Sequence, residues 1–237
     1  CEDRYFYGDV KRLNPEAPVP ILEYRRAVTS KGMAWNVREN LMSFGVEVYI
    51  STHPEEIIKT RYIDEKSNQQ IMRYDEEPEI TPISFEFPDE WKTTYDALVI
   101  SDYDKGFITQ EKLFELSNWF QGPVFIDTKK ICIPGNAFIK VNEYEFKKIT
   151  HFIPDNMIIT KGGEGTEYQG KLYPAEKVNV FDVVGAGDTF LAALTYGYLK
   201  YGRIEEAIPL ANKAAAVAVS HRGTYVLTEE DVKKILC

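Results

Sequence analysis

A glycine-rich turn that ends in a carboxylate is the part of this sequence best suited to chemistry. Residues 182–190 read DVVGAGDTF, so Gly185 and Gly187 permit a tight turn whose backbone N–H groups converge. An apolar helix follows, and the positive end of its dipole adds to the attraction for phosphate oxygens. Asp188 would lie beside a bound phosphate and could take the proton from an attacking hydroxyl. The pattern predicts phosphoryl transfer; a glycine-rich strand-to-helix turn with an acidic first-turn residue is the alternative.

Short apolar runs supply the strands that would position this turn. The runs at 97–103, 123–129, 137–142 and 156–161 are brief and typical of strands buried in a parallel sheet. Thr109 can cap a crossover helix between the first two runs, because apolar residues follow it at helical spacing. Strands that alternate with helices predict an α/β fold with a mostly parallel sheet and helices on both faces.

Polar residues and a glycine stand where these runs end. Asp102, Asp127, Asn142 and Gly162 fall at or just beyond the carboxyl ends of the predicted strands. Open parallel sheets bind ligands outside those ends. Each residue alone could be an ordinary strand terminus, but four on one edge of the sheet predict a site.

Two other patterns complete the expected elements. Helices are predicted from about Ala186, over 204–220, and after Thr228, where Asp231 provides the second half of a side-chain cap. The segments 21–28 and 57–74 instead alternate apolar and polar residues, which is typical of half-exposed antiparallel strands.

Composition excludes several classes of protein. The chain has 237 residues, of which 44% are hydrophobic and 27% charged, and this length suits one globular domain with a sizeable core. The net charge of -9 argues against general nucleic-acid binding, which needs a basic surface. Three unclustered cysteines, no membrane-spanning apolar run and no secretory signal predict a cytoplasmic protein that is not bound to a membrane.

The turn resembles the second signature of the ribokinase/PfkB carbohydrate kinase family, and two more motifs stand in the family's order. Residues 142–145 (NEYE) resemble its Asn-x-x-Glu motif, and residues 160–165 (TKGGEG) resemble its Thr-x-Gly-x-x-Gly nucleotide loop. The resemblance implies a ribokinase-like three-layer sandwich with a mostly parallel central sheet and a small β-sheet lid. It implies one kinase domain over 1–237, with lid strands at about 10–28 and 57–76.

The N-terminal half is similar to the members of this family that phosphorylate D-glycero-β-D-manno-heptose 7-phosphate at its anomeric hydroxyl. The similar segments are 3–8, 12–20, 60–61, 68–70, 73–75, 101–103 and 105–106. This likeness implies an ATP-dependent phosphosugar kinase whose product is heptose 1,7-bisphosphate.

The resemblance also assigns roles around the phosphoryl group. Asp188 is the general base, and the anion hole consists of the backbone amides of Gly185, Ala186, Gly187 and Asp188. Asn142 and Glu145 act through Mg²⁺ and its waters, since a hard cation keeps several waters and needs few protein oxygens.

For the nucleotide, the resemblance implies ATP in a loop that contains Thr160, Gly162 and Gly165. Asn212 corresponds to a residue that lies beside the adenine in the family. The implied cofactors are therefore ATP and Mg²⁺, with a monovalent cation as a further candidate.

Residues 30–37 (SKGMAWNV) match the place where the family has Gly-Gly-x-x-Asn and binds its sugar. Gly32 would let hydroxyls approach the backbone, and Asn36 can both donate and accept hydrogen bonds. Met33 replaces the second glycine and Trp35 a small residue, so two bulky side chains would reshape the sugar pocket.

A phosphosugar also needs local positive charge. The candidates are Arg4, Arg61, Arg73 and Lys105, since arginine in particular suits bidentate contact with phosphate. Taken singly, each of the four fits a solvated surface charge better than a phosphate ligand. The implied partners are a small phosphosugar and, through the β lid, a second copy of the chain.

Some family segments have no counterpart in this sequence. The family opens with a strand ending in Gly-Asp, and this sequence begins just after it. A helix-and-strand portion is expected to be missing between Ile50 and Ser51, and a helical portion between Thr150 and His151. An incomplete record and a shortened relative both fit this pattern.

Three functions therefore remain. The first is an active phosphosugar kinase, favoured by the complete phosphoryl and nucleotide motifs. The second is a kinase-like binding module without turnover, favoured by the shortened sugar side. The third is another sugar or nucleoside kinase of the same family, which the N-terminal segments do not favour.

Overall fold

In a computed structural model, residues 1–84, 86–149 and 155–237 are described. Contacts divide the chain into two compact units. The small unit contains Cys1–Gly32 and Pro54–Glu79, and the large unit contains Met33–His53 and Ile80–Cys237. Among the described residues, no helix has both the length and the apolar character needed to cross a lipid bilayer.

The small unit is a four-stranded sheet in the order β2-β1-β3-β4. Its strands are β1 (Glu2–Leu13), β2 (Pro20–Lys31), β3 (Ile58–Asp64) and β4 (Gln69–Glu76). The antiparallel strands predicted at 21–28 and 57–74 are confirmed, because β2 pairs antiparallel with β1 and β4 with β3. The lid strands predicted at about 10–28 included only the end of β1, and its parallel pairing with β3 was not predicted.

Aromatic residues on both faces of β1 explain why its sequence lacks the alternating pattern that predicts a strand. Tyr5 and Tyr7 are buried on one face, while Phe6 on the other stacks on Tyr62 with ring centroids 5.4 Å apart. Apolar and polar residues therefore do not alternate here, and alternation is the signal that identifies a strand with one solvated face.

The large unit contains a six-stranded sheet in the order β10-β9-β8-β7-β6-β5. Its strands are β5 (Leu98–Asp102), β6 (Val124–Thr128), β7 (Phe138–Asn142), β8 (Met157–Thr160), β9 (Gly165–Tyr168) and β10 (Lys171–Pro174). The first four are mutually parallel and fall inside the four predicted runs. The antiparallel pair β9 and β10, which the sequence did not predict, extends the sheet beyond β8.

Seven α-helices are present among the described residues. They are α1 (Ala34–Ser43), α2 (Trp91–Thr94), α3 (Gln110–Trp119), α4 (Glu143–Phe146), α5 (Ala186–Tyr201), α6 (Ile204–Val219) and α7 (Glu229–Leu236). The predicted caps are confirmed: Thr109 accepts a hydrogen bond from the Lys112 N–H, and Thr228 and Asp231 form a reciprocal capping box. The expected gap between Thr150 and His151 lies outside the described residues.

The sheet of the large unit is covered on both faces. On β6, Phe125 belongs to the apolar cluster that includes α1, α5 and α6, whereas its neighbour Ile126 belongs to the cluster that includes α3. Successive residues of a strand point to opposite faces, so this alternation puts the sheet between two helical layers. The predicted three-layer α/β architecture is confirmed.

Candidate active site

The glycine-rich turn leads directly into α5 and is held in a defined shape. Gly185 is the N-cap residue with φ 77°, a left-handed conformation that favours glycine. Asp182 fixes the turn from both sides, since its Oδ1 accepts a hydrogen bond from the Val184 N–H and its Oδ2 from the Gly223 N–H. The first amides of α5 therefore point out of a turn that other residues keep rigid.

Asp188 lies in the first turn of α5 and is only 4% exposed. Both of its carboxylate oxygens accept a hydrogen bond. The Tyr103 hydroxyl donates to Oδ1, and the Asn36 side-chain amide donates to Oδ2 over 3.2 Å. Burial raises the pKa of Asp188 to about 6, against the opposing hydrogen bonds from Tyr103 and Asn36. A carboxylate with a pKa in this range is suited to accept a proton near neutral pH.

A buried ion pair lies beside the turn. Lys140 on β7 and Asp127 on β6 form an ion pair of 2.6 Å, with side-chain exposures of 7% and 17%. Burial acts to lower the pKa of Lys140, but the charge and hydrogen bond of Asp127, with the charges of Asp188 and Glu145, outweigh it, so the pKa is raised. The raised pKa favours the charged ammonium form of Lys140.

Asn142 and Glu145 form a capping box at the start of α4. The Asn142 side chain accepts the Glu145 N–H over 2.8 Å, and Glu145 Oε2 accepts the Asn142 N–H over 2.9 Å. This reciprocal pair fixes the direction of the Glu145 carboxylate. The Asn-x-x-Glu motif thus has a local structural reason in addition to its expected role near Mg²⁺.

A cleft of about 130 Å³ opens beside the turn in the large unit. It is lined by Asp102, Tyr103, Asp127, Lys129, Lys140, Glu145, Gly185, Gly187 and Asp188. Carboxylate oxygens are the donors that Mg²⁺ prefers, and binding through waters requires few of them. The carboxylates that line the cleft therefore fit Mg²⁺ bound through its waters. Among the described residues, no group of three or more metal-binding side chains is found.

The predicted nucleotide loop follows β8. Thr160 ends that strand and pairs with Asn142 in the sheet register, which brings the two motifs to the same edge. Gly162 has φ 55° and open space where a side chain would stand. Gly165 has φ 113°, and a Cβ there would come within 2.1 Å of the Tyr173 carbonyl oxygen. Gly165 is therefore required by packing, whereas Gly162 leaves room for a ligand.

Asn212 on α6 is buried and bonded within the protein. Its Oδ1 accepts the Thr166 hydroxyl over 2.7 Å, and its amide donates to the Tyr173 and Pro174 carbonyl oxygens over 2.9 and 3.2 Å. These bonds tie α6 to β9 and β10. A place beside the adenine stays a prediction for Asn212.

Comparison with known proteins finds one matching family and several similar proteins. The description "pfkB family carbohydrate kinase" matches residues 140–231, which include the Asn-x-x-Glu motif, the glycine loop and the Asp188 turn. The bifunctional protein HldE of a Nitratiruptor species is 31% identical, over 98% of this chain and 62% of that protein. The HldE protein of Helicobacter acinonychis is 28% identical, over 99% of this chain and 64% of that protein. This chain is therefore similar, over residues 140–231, to the pfkB family of carbohydrate kinases.

Solved structures show the same fold for this chain. Ribokinase from Thermotoga maritima matches with a TM-score of 0.69 at 16% identity, over 99% of this chain and 96% of that one. Phosphofructokinase-2 from Escherichia coli, in complex with potassium, matches with a TM-score of 0.68 at 16% identity, over 99% and 95%.

The chain spans less than two thirds of the length of the HldE relatives that it matches. The alignment with the Nitratiruptor protein runs over 287 positions, more than the 237 residues of this chain. That relative therefore carries segments without a counterpart here.

In the small unit, the predicted phosphate-binding arginines are already paired. Arg4 binds Glu2, Arg61 binds Asp3 over 2.5 Å, and Arg73 binds Asp75 over 2.7 Å. Gly32 lies against Asp3, because a Cβ there would be 2.2 Å from Asp3 Oδ2. A substrate phosphate would have to compete with these carboxylates.

In the large unit, Asn36 is placed at Asp188, and Lys105 lies half-buried in the loop after β5. Met33 has φ 56°, a value that favours glycine, at the position where the resembled family has its second glycine. The Trp35 ring lies 5.4 Å from the Arg38 guanidinium. The backbone at position 33 therefore still suits glycine although the residue is methionine.

Sequence reasoning missed two groups that contact the site. Tyr103 was part of a recognised segment without a role, although its hydroxyl donates to Asp188. Lys140 was overlooked, and its signal was a lysine inside the otherwise apolar strand run FIKVN. A lysine at a buried strand position is rare unless it is paired.

Proposed function

We propose that this kinase transfers the γ-phosphoryl group of ATP to a hydroxyl of a phosphosugar, with heptose 7-phosphate as the acceptor. The observation that carries the proposal is the buried Asp188 carboxylate at the N-terminus of α5, with a pKa of about 6. A group that is ionised at neutral pH and shielded from water can accept the proton of an incoming hydroxyl.

The turn supports the transfer by its backbone. The amides at the start of α5 have no partners inside the helix, so they can donate to phosphoryl oxygens. Asp182 and Asn36 hold the turn rigid, because both make hydrogen bonds to its backbone. Donors fixed before the reaction need no reorganisation when charge develops.

Glu145 and Asn142 are the residues that would hold Mg²⁺ through its waters. Mg²⁺, when bound, supplies charge neutralisation for the phosphates. The role of the protein is to keep the Glu145 carboxylate in place, which the capping box does.

The choice of heptose 7-phosphate rests on similarity. The matched relatives are bifunctional HldE proteins, and the N-terminal motifs resemble those of heptose 7-phosphate kinases. Arg61 is the most buried of the candidate phosphate ligands, at 9% side-chain exposure. A lid function and a dimer contact for the four-stranded sheet stay predictions, as does a cytoplasmic location, which would supply ATP and keep the three free cysteines reduced.

A binding module without turnover is the second candidate. It is favoured by the Tyr103 hydroxyl, which already occupies one oxygen of the proposed base. An acceptor hydroxyl must use another lone pair of Asp188 or displace Tyr103.

ADP release with Mg·ATP separates the two candidates. The panel contains D-glycero-D-manno-heptose 7-phosphate, unphosphorylated heptose and fructose 6-phosphate, with Asp188→Asn as the matched control. The proposal expects turnover of heptose 7-phosphate by the wild type and its loss in the variant. ATP binding without turnover on any sugar would contradict the kinase proposal and favour the binding module, whereas turnover of fructose 6-phosphate alone would contradict the heptose assignment.

A further inference from the structure

Lys140 is a buried cation that no motif of the sequence accounts for. It lies on β7, two residues before Asn142, in a strand whose neighbours Ile139 and Val141 are buried apolar residues. Its side chain is 7% exposed and ends in the ion pair with Asp127. An ion pair of this kind contributes little to stability, because desolvation of both charges offsets their attraction.

The Lys140 ammonium group lies against the glycine-rich turn as well as against Asp127. Lys140 Nζ lies 2.7 Å from the point where a Cβ of Gly187 would stand, and Asp127 Oδ2 lies 3.9 Å from the same point. The ammonium therefore sits directly against the turn that opens α5. Any larger residue at position 187 would require Lys140 to move.

This placement brings the positive Lys140 ammonium next to the positive N-terminus of α5. The N-terminus of α5 carries the positive end of the helix dipole, which disfavours a nearby cation. Lys140 is nevertheless held there, and both face the cleft that Asp188 lines. A multiply charged anion in that cleft would satisfy the ammonium and the helix N-terminus together.

We propose that Lys140 is a catalytic residue whose ammonium contacts the phosphoryl group during its transfer; this rests on the proposed kinase function. The acceptor oxygen forms a bond to the γ-phosphorus, and the bond from that phosphorus to the bridging oxygen breaks. Its electron pair leaves with ADP, and the acceptor's proton goes to Asp188. Lys140 keeps its own proton and neutralises charge on the transferred oxygens, while Asp127 holds it in place between turnovers.

Lysine suits this role better than arginine would. Its ammonium is a compact point charge, whereas the guanidinium is a planar fork that needs more room. The cleft measures about 130 Å³ and is already lined by four carboxylates, Asp102, Asp127, Glu145 and Asp188. A single mobile ammonium can turn from Asp127 to a phosphate oxygen within it.

The test uses Lys140→Met, with Lys147→Met as the matched control on the exposed surface after α4, where the side chain is 69% exposed. Calorimetry measures the affinities for Mg·ADP and for Mg·β,γ-imido-ATP, and an ADP-release assay measures kcat. We expect Lys140→Met to lower kcat by about 10²- to 10³-fold. We also expect it to weaken imido-ATP binding about tenfold relative to ADP, as for a lost hydrogen bond to a charged group. Lys147→Met should change neither value.

A purely structural role is tested by removing both charges. Lys140→Met leaves Asp127 buried without its partner and could unfold the protein for that reason alone. The double variant Lys140→Met with Asp127→Asn avoids this, and we expect it to fold and still to lose the preference for the triphosphate.

The role of Lys140 and the kinase function would be contradicted by different results. An active wild type together with a folded variant of unchanged kcat and unchanged nucleotide preference would overturn the role of Lys140 alone. A wild type that binds neither nucleotide would overturn the kinase function, and the role of Lys140 with it.

Discussion

The cleft of the large unit and the sheet of the small unit use charged residues in opposite ways. In the cleft, Asp188 and Lys140 are almost fully buried. In the sheet, Arg25 pairs with Asp9 over 2.6 Å and Arg73 with Asp75 over 2.7 Å, close to the 2.6 Å between Lys140 and Asp127 in the cleft. The two arginine side chains, however, are 54% and 44% exposed. Distance alone therefore does not distinguish these exposed pairs from the charges of the cleft, whereas burial does.

This difference in burial indicates where charged side chains serve function. Exposed ion pairs contribute about 0–1 kcal/mol each, since water screens them. Buried charges are costly to desolvate, so a protein keeps them mainly where their chemistry is needed. The pair of Arg61 and Asp3 is buried within the small unit, at 9% and 4% side-chain exposure. By the same reasoning, Arg61 is the arginine of that sheet to examine for a functional role.

Apart from the loss of Asp188 or Lys140 themselves, the largest expected effect comes from the shape of the turn. In Gly185→Ala, a Cβ would lie 2.8 Å from the Asn36 side-chain amide, which donates to Asp188. We expect kcat to fall about 100-fold, as for a small displacement of a catalytic group. Gly202→Ala is the matched control, because Gly202 at the other end of α5 has a similar φ of 73° and, among the described residues, nothing within 4 Å of its Cβ position.

Circular dichroism separates stability from catalysis in this pair. Both variants should lose about 1–2 kcal/mol of unfolding free energy from the left-handed backbone. Equal kcat values for the two variants would show that the turn shape does not matter for catalysis.

The next effect is a gain in stability from removing the buried charge. The pKa of Asp188 is about 6 in the folded protein, above its ordinary value of 3.8, so the folded state binds the proton more tightly. Stability contributed by this group is lost as pH rises from about 4 to about 6. Asp188→Asn should therefore raise the unfolding free energy at pH 7 by about 3 kcal/mol, with the gain vanishing near pH 4.

Urea unfolding at pH 4, 5, 6 and 7 measures this difference. A constant difference between wild type and variant across the series would contradict the raised pKa.

A smaller effect is expected on the pH profile. Tyr103, Asn36, Asp127 and Lys140 are the polar groups that act on Asp188, and the hydrogen bond from Tyr103 lowers its pKa. Tyr103→Phe should therefore move the acid limb of kcat/KM, expected near pH 6 in the wild type, to higher pH. Tyr49→Phe, at an exposed tyrosine, should leave the limb in place. A limb that stays or moves to lower pH in Tyr103→Phe would contradict the contact.

The smallest effect concerns the exposed sheet. Arg73→Ala removes an exposed pair with Asp75 and should change the unfolding free energy by less than about 1 kcal/mol. If Arg73 binds the substrate phosphate, KM for the phosphosugar should rise while kcat stays the same. Lys11→Ala, also in an exposed pair, serves as the control for both measurements.

The sequence predicted those parts of the molecule that depend on local pattern. The four parallel strands, the cap at Thr109 and the capping box at Thr228 were found because each has a signal within a few residues. The motifs around Asn142 and Asp188 were found in the same way.

Contacts between distant residues could not be predicted in this way. Tyr103 and Asp188 are 85 positions apart, and nothing in either local sequence specifies the hydrogen bond between them. The parallel pairing of β1 with β3 is equally non-local. Lys140 was missed for a different reason, since apolar periodicity describes strands and treats a buried lysine as an interruption.

The central claim is that Asp188 takes the proton from the acceptor hydroxyl in this cleft, and a paired measurement on Asp188→Asn tests it most directly. Transfer of the γ-phosphoryl group to heptose 7-phosphate is followed in a single turnover, and Mg·β,γ-imido-ATP binding is followed by calorimetry. The account predicts a rate lower by about two to four powers of ten with nucleotide binding retained. A rate equal to that of the wild type would contradict it.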